Sequence, residues 1–297
     1  MLSTGAPPDW ATVDVAVARP SRPLRGVSMA GFSQRVPAAV DIAMVAHPSV
    51  TLLVDLSEGG IVSAAGGRCE RGSVVVGLVP GEVRMTARGS GDCLQIRLEP
   101  VVAAAVLDAS TQLSGTVVAF EDVWGRHAGQ VEDRLRAAPS WDARFAIVGE
   151  FLCRRLASCR SVDPEVVHTW RRTSSSRGWV RVDSLADEVG WSRKRLWSRF
   201  RSQLGITPKR AARLVRFDHA ARLLAAGHAP ADVAARSGYA DQPRLHREAR
   251  AIAGLTPAAV AVAPWLSIDD VAWPDSSRAV IGAGSRSLNR VEPLRSA

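Results

Sequence analysis

LADEVGWSRKRLWSRFRSQLGITP, from Leu185 to Pro208, is answered by VAARSGYADQPRLHREARAIAGLTP, from Val233 to Pro257. Gly190 corresponds to Gly238, the aromatic after it recurs as Trp191 and Tyr239, and both copies close on the same phrase, at Gly205-Ile206-Thr207-Pro208 and Gly254-Leu255-Thr256-Pro257. Each copy reads as a short helix, a sharp turn at the glycine and a longer helix. In the first copy Asp183 or Ser184 caps the short helix, and Leu185, Ala186 and Val189 supply its buried face. Ser192 caps the longer helix, whose Leu196 and Phe200 lie four apart and point inward. In the second copy Val233 and Ala234 face inward, Asp241 caps, and Leu245 is the inward residue, displaced by one extra residue in the turn.

The outward faces differ in chemistry. The first longer helix presents Arg193, Lys194, Arg195, Trp197, Ser198, Arg199 and Arg201, and the second presents Gln242, Arg244, His246, Arg247 and Arg250. A helix with such a face fits the major groove of DNA, its first turns near base edges and its flanks near phosphates. Between the copies Pro208 opens a helix running to about Ala226 and closed by Gly227, with Leu214, Phe217, Ala221 and Leu224 along one face. At about 1.5 Å per residue that rod is roughly 28 Å long. Successive major-groove faces lie about 34 Å apart, so one chain can set two readers on the same side of a duplex. One basic helix alone reads as a solvated surface; two at matched spacing do not. Trp197 is either a groove contact or a core residue, and Tyr239, beside its turn glycine, is read as packed.

The chain has 297 residues and a formal charge of +9, unevenly placed. From Arg171 to Trp265 there are 18 Arg or Lys against 7 Asp or Glu, a net of +11, which leaves −2 for the rest. A basic module seeking a polyanion is thus joined to a near-neutral one. Arginine outnumbers lysine 36 to 2, which reads as coding bias and not as recognition chemistry.

Residues 170 to 265 resemble the DNA-binding domain of AraC/XylS-type bacterial transcription regulators. The resemblance rests on the two helix-turn-helix copies, the joining helix, and Gly238-Tyr239 followed by Asp241-Gln242, Leu245 and Arg247. It implies base-edge contacts at Lys194, Trp197 and Ser198 in the first reader and at Gln242, Arg244, His246 and Arg247 in the second. It also implies RNA polymerase, a small-molecule effector and a second copy of the chain as partners, in the bacterial cytoplasm. One departure is Ala249, where the family usually has Phe; the second unit is expected to have a thinner core there, unless a neighbour such as Trp265 fills the space.

From Leu24 to Leu98, Val- and Leu-rich runs such as Val50–Leu56 and Val74–Leu78 alternate with glycines, as in an antiparallel sandwich or barrel. In Cys93–Leu98 the residues Leu94, Ile96 and Leu98 share one face and Gln95 and Arg97 the other, the pattern of a half-buried strand. This half is similar to the small cupin-type barrel that many such regulators use for effector binding or dimerisation. Phe145, Val148, Leu152 and Leu156 mark an amphipathic helix over Trp141–Ser158, which covers the sheet or forms a dimer seam.

Cys69 and Cys93 are read as small core residues on neighbouring strands. The four cysteines, Cys69, Cys93, Cys153 and Cys159, have no CxxC spacing, and His47 and His127 stand alone as structural histidines. No metal site, cofactor or catalytic constellation is expected, and no apolar run approaches a membrane span.

The expectation is therefore an α+β chain of two domains. Residues 1–22 are a flexible lead-in, 23–160 an effector-binding or dimerisation β-barrel with accessory helices, and 161–178 a linker. Residues 179–265 are an all-α DNA-binding domain with two helix-turn-helix units, and 266–297 a disordered tail. The rival reading is a nucleoid-type protein that binds DNA with little sequence preference. Of the two readers, the first, denser in charge, is expected to supply most of the affinity and the second to tune specificity.

Overall fold

A computed structural model describes residues 10–19, 24–57, 60–64, 69–78, 81, 83–107, 113–158, 161–263, 266 and 268–273. The N-terminal half holds β1 (Val13–Val17), β2 (Val27–Met44), β3 (Val50–Asp55), β4 (Ile61–Ala64), β5 (Cys69–Arg71), β6 (Val74–Val76), β7 (Val83–Leu98), α1 (Pro100–Val106), β8 (Val117–Ala119), α2 (Phe120–Trp124), α3 (Arg126–Ala137) and α4 (Trp141–Ser158). The second half is helical, with α5 (Pro164–Ser175), α6 (Val182–Glu188), α7 (Arg193–Leu204), α8 (Pro208–Ala225), α9 (Pro230–Arg236), α10 (Gln242–Ala253), α11 (Pro257–Ala261) and α12 (Asp269–Ala272).

The strands form one antiparallel sheet in the order β1-β2-β7-β3-β6-β8, with β4 pairing both β5 and β7. The long strand β7 organises it. One edge pairs with β2 from Val83 to Leu98, while the other meets β4 near Val83–Thr86 and β3 at Cys93–Leu98. A bulge in β2 between Gln34 and Ala38 bends the pair there.

Both faces of the sheet are buried. Leu94, Ile96 and Leu98 join a core continuous through Phe145, Val148 and Leu152 of α4 into Trp170, Phe200 and Phe217 of the helical half. Leu53, Ile42, Val62 and Val74 form a second cluster on the opposite face. The half-buried strand expected at Cys93–Leu98 is therefore corrected, since Gln95 is 1% and Arg97 5% exposed. The polar side of this strand faces an interior, as a curled sheet allows. Helix α4 covers the sheet closely at Gly31, where a Cβ would come within 2.2 Å of the Trp141 ring.

Three expectations at the edges of the domains are corrected. The lead-in contains β1, which pairs with β2 from Val13 to Val17; Val13, Val15 and Val17 carry the period of two that a strand requires. The stretch expected as a linker contains α5, with Trp170 1% and Thr173 0% exposed. The Thr169 and Thr173 hydroxyls donate to the carbonyls of Glu165 and Thr169, four residues earlier, at 2.7 and 2.8 Å, so both hydroxyls are buried with a partner. The tail does not loosen at 266, because α12 and Trp273 pack onto the sheet beside Ala30; residues 274–297 lie outside the described residues.

Smaller differences follow local chemistry. Helix α6 starts at Val182 with Arg181 at its N-cap, so neither Asp183 nor Ser184 caps it. Cys69 is exposed on β5, which pairs with β4 and not with the strand of Cys93, so the neighbouring-strand expectation fails. Cys159 lies outside the described residues.

His219 of α8 is 6% exposed, and burial, followed by Arg177, lowers its pKa to about 4. An unfolded chain takes up this proton near pH 6.5 and the folded one does not, so stability falls as pH drops through the window from about 6.5 to 4. Between pH 7 and 4.5 the expected loss from this residue is about 2–3 kcal/mol. Urea denaturation at the two pH values should show that loss reduced by about as much in His219→Gln; an unchanged loss would remove His219 as its source.

Candidate nucleic-acid interface

The two copies fold alike because their termini are satisfied alike. Gly190 and Gly238 turn with φ of 65° and 69°, a region that favours glycine. The Ser192 hydroxyl accepts from Arg195 N at 3.2 Å and the Asp241 carboxylate from Arg244 N at 2.6 Å, which starts α7 and α10 as expected. Gly205 and Gly254 end these helices in the left-handed region. Thr207 and Thr256 then cap the next helices, accepting from Arg210 N and Ala259 N, with Pro208 and Pro257 at the first helical position. The shared Gly-x-Thr-Pro phrase is thus a stop signal followed by a start signal.

Leu196 and Phe200 are fully buried beneath α7, and Leu245 and Ala249 beneath α10. Tyr239 is buried as expected, and Trp197 is exposed at 45%, so it belongs to the outer face and not the core. Ala249 is itself fully buried, and Trp265 lies outside the described residues. Between the readers, α8 is an 18-residue rod with Leu214, Phe217, Ala221 and Leu224 buried along it. Glu248 of α10 ties to this rod through Arg213, with contacts of 2.7 and 2.9 Å.

Every residue expected to face DNA is exposed: Arg193, Lys194, Arg195, Trp197, Ser198, Arg199 and Arg201 on α7, and Gln242, Arg244, His246, Arg247 and Arg250 on α10. Their electrostatic states differ. Arg199 is held by both carboxylate oxygens of Asp163, at 2.8 and 2.9 Å, and Arg193 lies 3.1 Å from Asp183. Arg195 stacks on Trp191 at 4.4 Å, and Arg201 on Trp197 at 5.2 Å. Lys194 and the three arginines of α10, Arg244, Arg247 and Arg250, have no ion-pair partner among the described residues. The first reader is therefore richer in arginine but has part of that charge already engaged, which narrows the expected difference between the readers. Ser114 of the N-terminal half borders a shallow groove with Trp197, Ser198 and Arg201, and α1 packs against α7.

A second cluster, which sequence reading missed, joins the halves. Arg222 of α8 contacts Asp218 at 3.2 Å and Asp269 at 2.7 Å, and Asp269 contacts Arg97 of β7 at 2.9 Å. Burial lowers the pKa of Arg97 below its ordinary value despite Asp269. At Arg222, Asp218 and Asp269 together outweigh burial and hold the guanidinium above it. Arg97 also lies over the Trp273 ring at 4.1 Å.

His47 completes the cluster, with Nε2 at 3.2 Å from Arg222 and Nδ1 at 2.8 Å from Ser49 Oγ. Burial, then Arg97 and Arg222, pushes its pKa well below the usual value, so the neutral ring accepts from Arg222 and donates to Ser49. His47 is structural, as expected, and His127 is exposed. No signal in the sequence could have linked Arg97 to Asp269, which lie 172 positions apart.

Among the described residues no group of three His, Cys, Asp or Glu side chains is placed to hold a metal ion. No described helix is long and apolar enough to cross a membrane.

Residues 185–261 match the family model of a helix-turn-helix domain. Over 66 residues the chain is 35% identical to YbfI, an uncharacterized HTH-type transcriptional regulator of Bacillus subtilis strain 168. That alignment covers 22% of this chain and 24% of the relative, so the chain spans about a quarter of the curated relative it matches. Among solved structures, ToxT from Vibrio cholerae O395 aligns with a TM-score of 0.44 at 10% identity, covering 79% of this chain and 96% of that one. ToxT bound to (E)-4-(8-methylnaphthalen-1-yl)but-3-enoic acid aligns at 0.46 with 9% identity, covering 81% and 100%.

Proposed function

We propose that the chain, which carries a helix-turn-helix domain over residues 185–261, is an AraC/XylS-type transcriptional regulator and a sequence-specific DNA reader whose α7 and α10 enter two successive major-groove segments. The observation carrying this reading is the matched pair of capped helices on one 18-residue rod, each with a fully exposed polar face. Lys194, Trp197 and Ser198 would meet base edges from the first reader, and Gln242, Arg244, His246 and Arg247 from the second. The N-terminal half would sense a small molecule or pair two chains, and RNA polymerase would be the downstream partner in the cytoplasm. The working units are taken as residues 23–160 and 179–265, and α5 is added to the second because it packs against α8 and α7.

Selection of binding sites from random DNA with purified protein tests the architecture. A site with two blocks about one helical turn apart is expected. On that site Arg247→Ala should cost about 1–3 kcal/mol and relax one position. A folded variant that binds unchanged would remove Arg247 from the interface. Equal affinity for selected and random DNA across a salt titration would instead favour a sequence-blind DNA-coating protein. Comparing Lys194→Ala with Arg247→Ala on full and half sites apportions affinity between the readers.

A further inference from the structure

The curled sheet encloses a cavity of about 100 Å³, partly open to solvent and walled by Trp10, Phe32, Ile42, Leu53, Val62 and Met85. Trp10 and Phe32 make its aromatic side, with ring centroids 6.4 Å apart and planes tilted by 49°. Gln95 lines the same cavity from the middle of β7. Its side chain is buried, and neither the amide nitrogen nor the amide oxygen has a hydrogen-bond partner among the described residues. A buried carboxamide with both ends unmet is uncommon, because each end has lost water without replacement. An occupant offering one acceptor and one donor removes that penalty.

The charge around the cavity narrows the class of occupant. Asp55 and Asp92 are the charged residues of its described lining, and no Lys, Arg or His is among them. Asp55 accepts from Ser57 N, Ser57 Oγ and Gly60 N at 2.9, 2.8 and 2.7 Å, and Asp92 is held by Arg144 at 2.6 Å. Asp55 is thus held by neighbours in the cavity wall and Asp92 from outside it, and the charge of both opposes an anion within. Cys93 adds no charge, since burial, then Asp55 and Asp92, pushes its thiol up to about 12.

We infer that this cavity binds a small uncharged molecule with a flat apolar body and one carboxamide or lactam group, paired in both directions with the Gln95 amide. The ring lies against Trp10 and Phe32, and the amide meets Gln95. Binding itself needs only the cavity; its consequence for DNA rests on the sensing role proposed above.

Benzamide and benzoate separate the alternatives, because they share a shape and differ in charge. Titration calorimetry on the full chain is expected to show benzamide binding at least tenfold tighter than benzoate. Gln95→Met should weaken benzamide at least tenfold while retaining toluene. Should that variant fail to fold, Met85→Trp, which fills the cavity from its wall, is expected to abolish benzamide binding. Benzoate binding as tightly as benzamide, neither compound binding, or benzamide binding untouched by these substitutions would each overturn the inference. DNA affinity measured with and without benzamide is a separate readout. Amide binding with unchanged DNA affinity would leave the ligand class standing and remove the sensing role.

Discussion

Asp269→Ala is expected to destabilise the folded chain by about 3–5 kcal/mol, the cost of leaving buried charges without their counterion. Asp269 is 3% exposed and lies between Arg97 at 2.9 Å and Arg222 at 2.7 Å, so its removal leaves two guanidinium groups facing each other in a buried site. Arg222 keeps Asp218 as a direct partner, whereas Arg97 keeps the face of Trp273 and the more distant charge of Asp218. Urea denaturation followed by tryptophan fluorescence measures the loss. Asp269→Asn, which retains the shape and removes the charge, separates electrostatics from packing. A loss below about 1 kcal/mol for Asp269→Ala would place the cluster in the range of surface ion pairs.

Trp170→Ala is expected to cost a similar amount, about 3–5 kcal/mol, typical of deleting a large buried aromatic. Trp170 is 1% exposed, and its cluster includes Phe200 of α7 and Phe217 of α8. The loss should therefore appear in the helical half, as a lowered midpoint of the far-ultraviolet transition and weakened DNA binding by the first reader. If the variant unfolds and binds as the parent does, α5 is a peripheral strap and the DNA-binding unit begins after it.

The readers were legible because their chemistry is local. A cap, a left-handed glycine and a proline at the first helical position act within four or five residues, so the phrases at Gly205–Pro208 and Gly254–Pro257 announce themselves. The inward residues Leu196, Phe200 and Leu245 follow from the same short spacings. What escaped depends on partners far along the chain. Thr173-Ser-Ser-Ser reads as solvent-loving, yet Thr173 is buried because it bonds its own helix. Gln95 and Arg97 read as the wet side of a strand, and only the curl of the sheet and the return of residues 268–273 enclose them. Exposure of Arg199 was legible, but its engagement by Asp163, 36 positions away, was not.

Asp269 follows both readers in the chain, which gives the order of synthesis a structural meaning. While the polypeptide is being made, the sheet and Arg97 emerge first, then α8 with Arg222, and the residue that joins them comes last. Domains generally fold as units in that order. Two readers on their rod therefore precede in the chain the residue that joins Arg222 to Arg97. A chain cut after Ala263 would keep both helix-turn-helix units and lose the buried carboxylate that bridges Arg97 and Arg222.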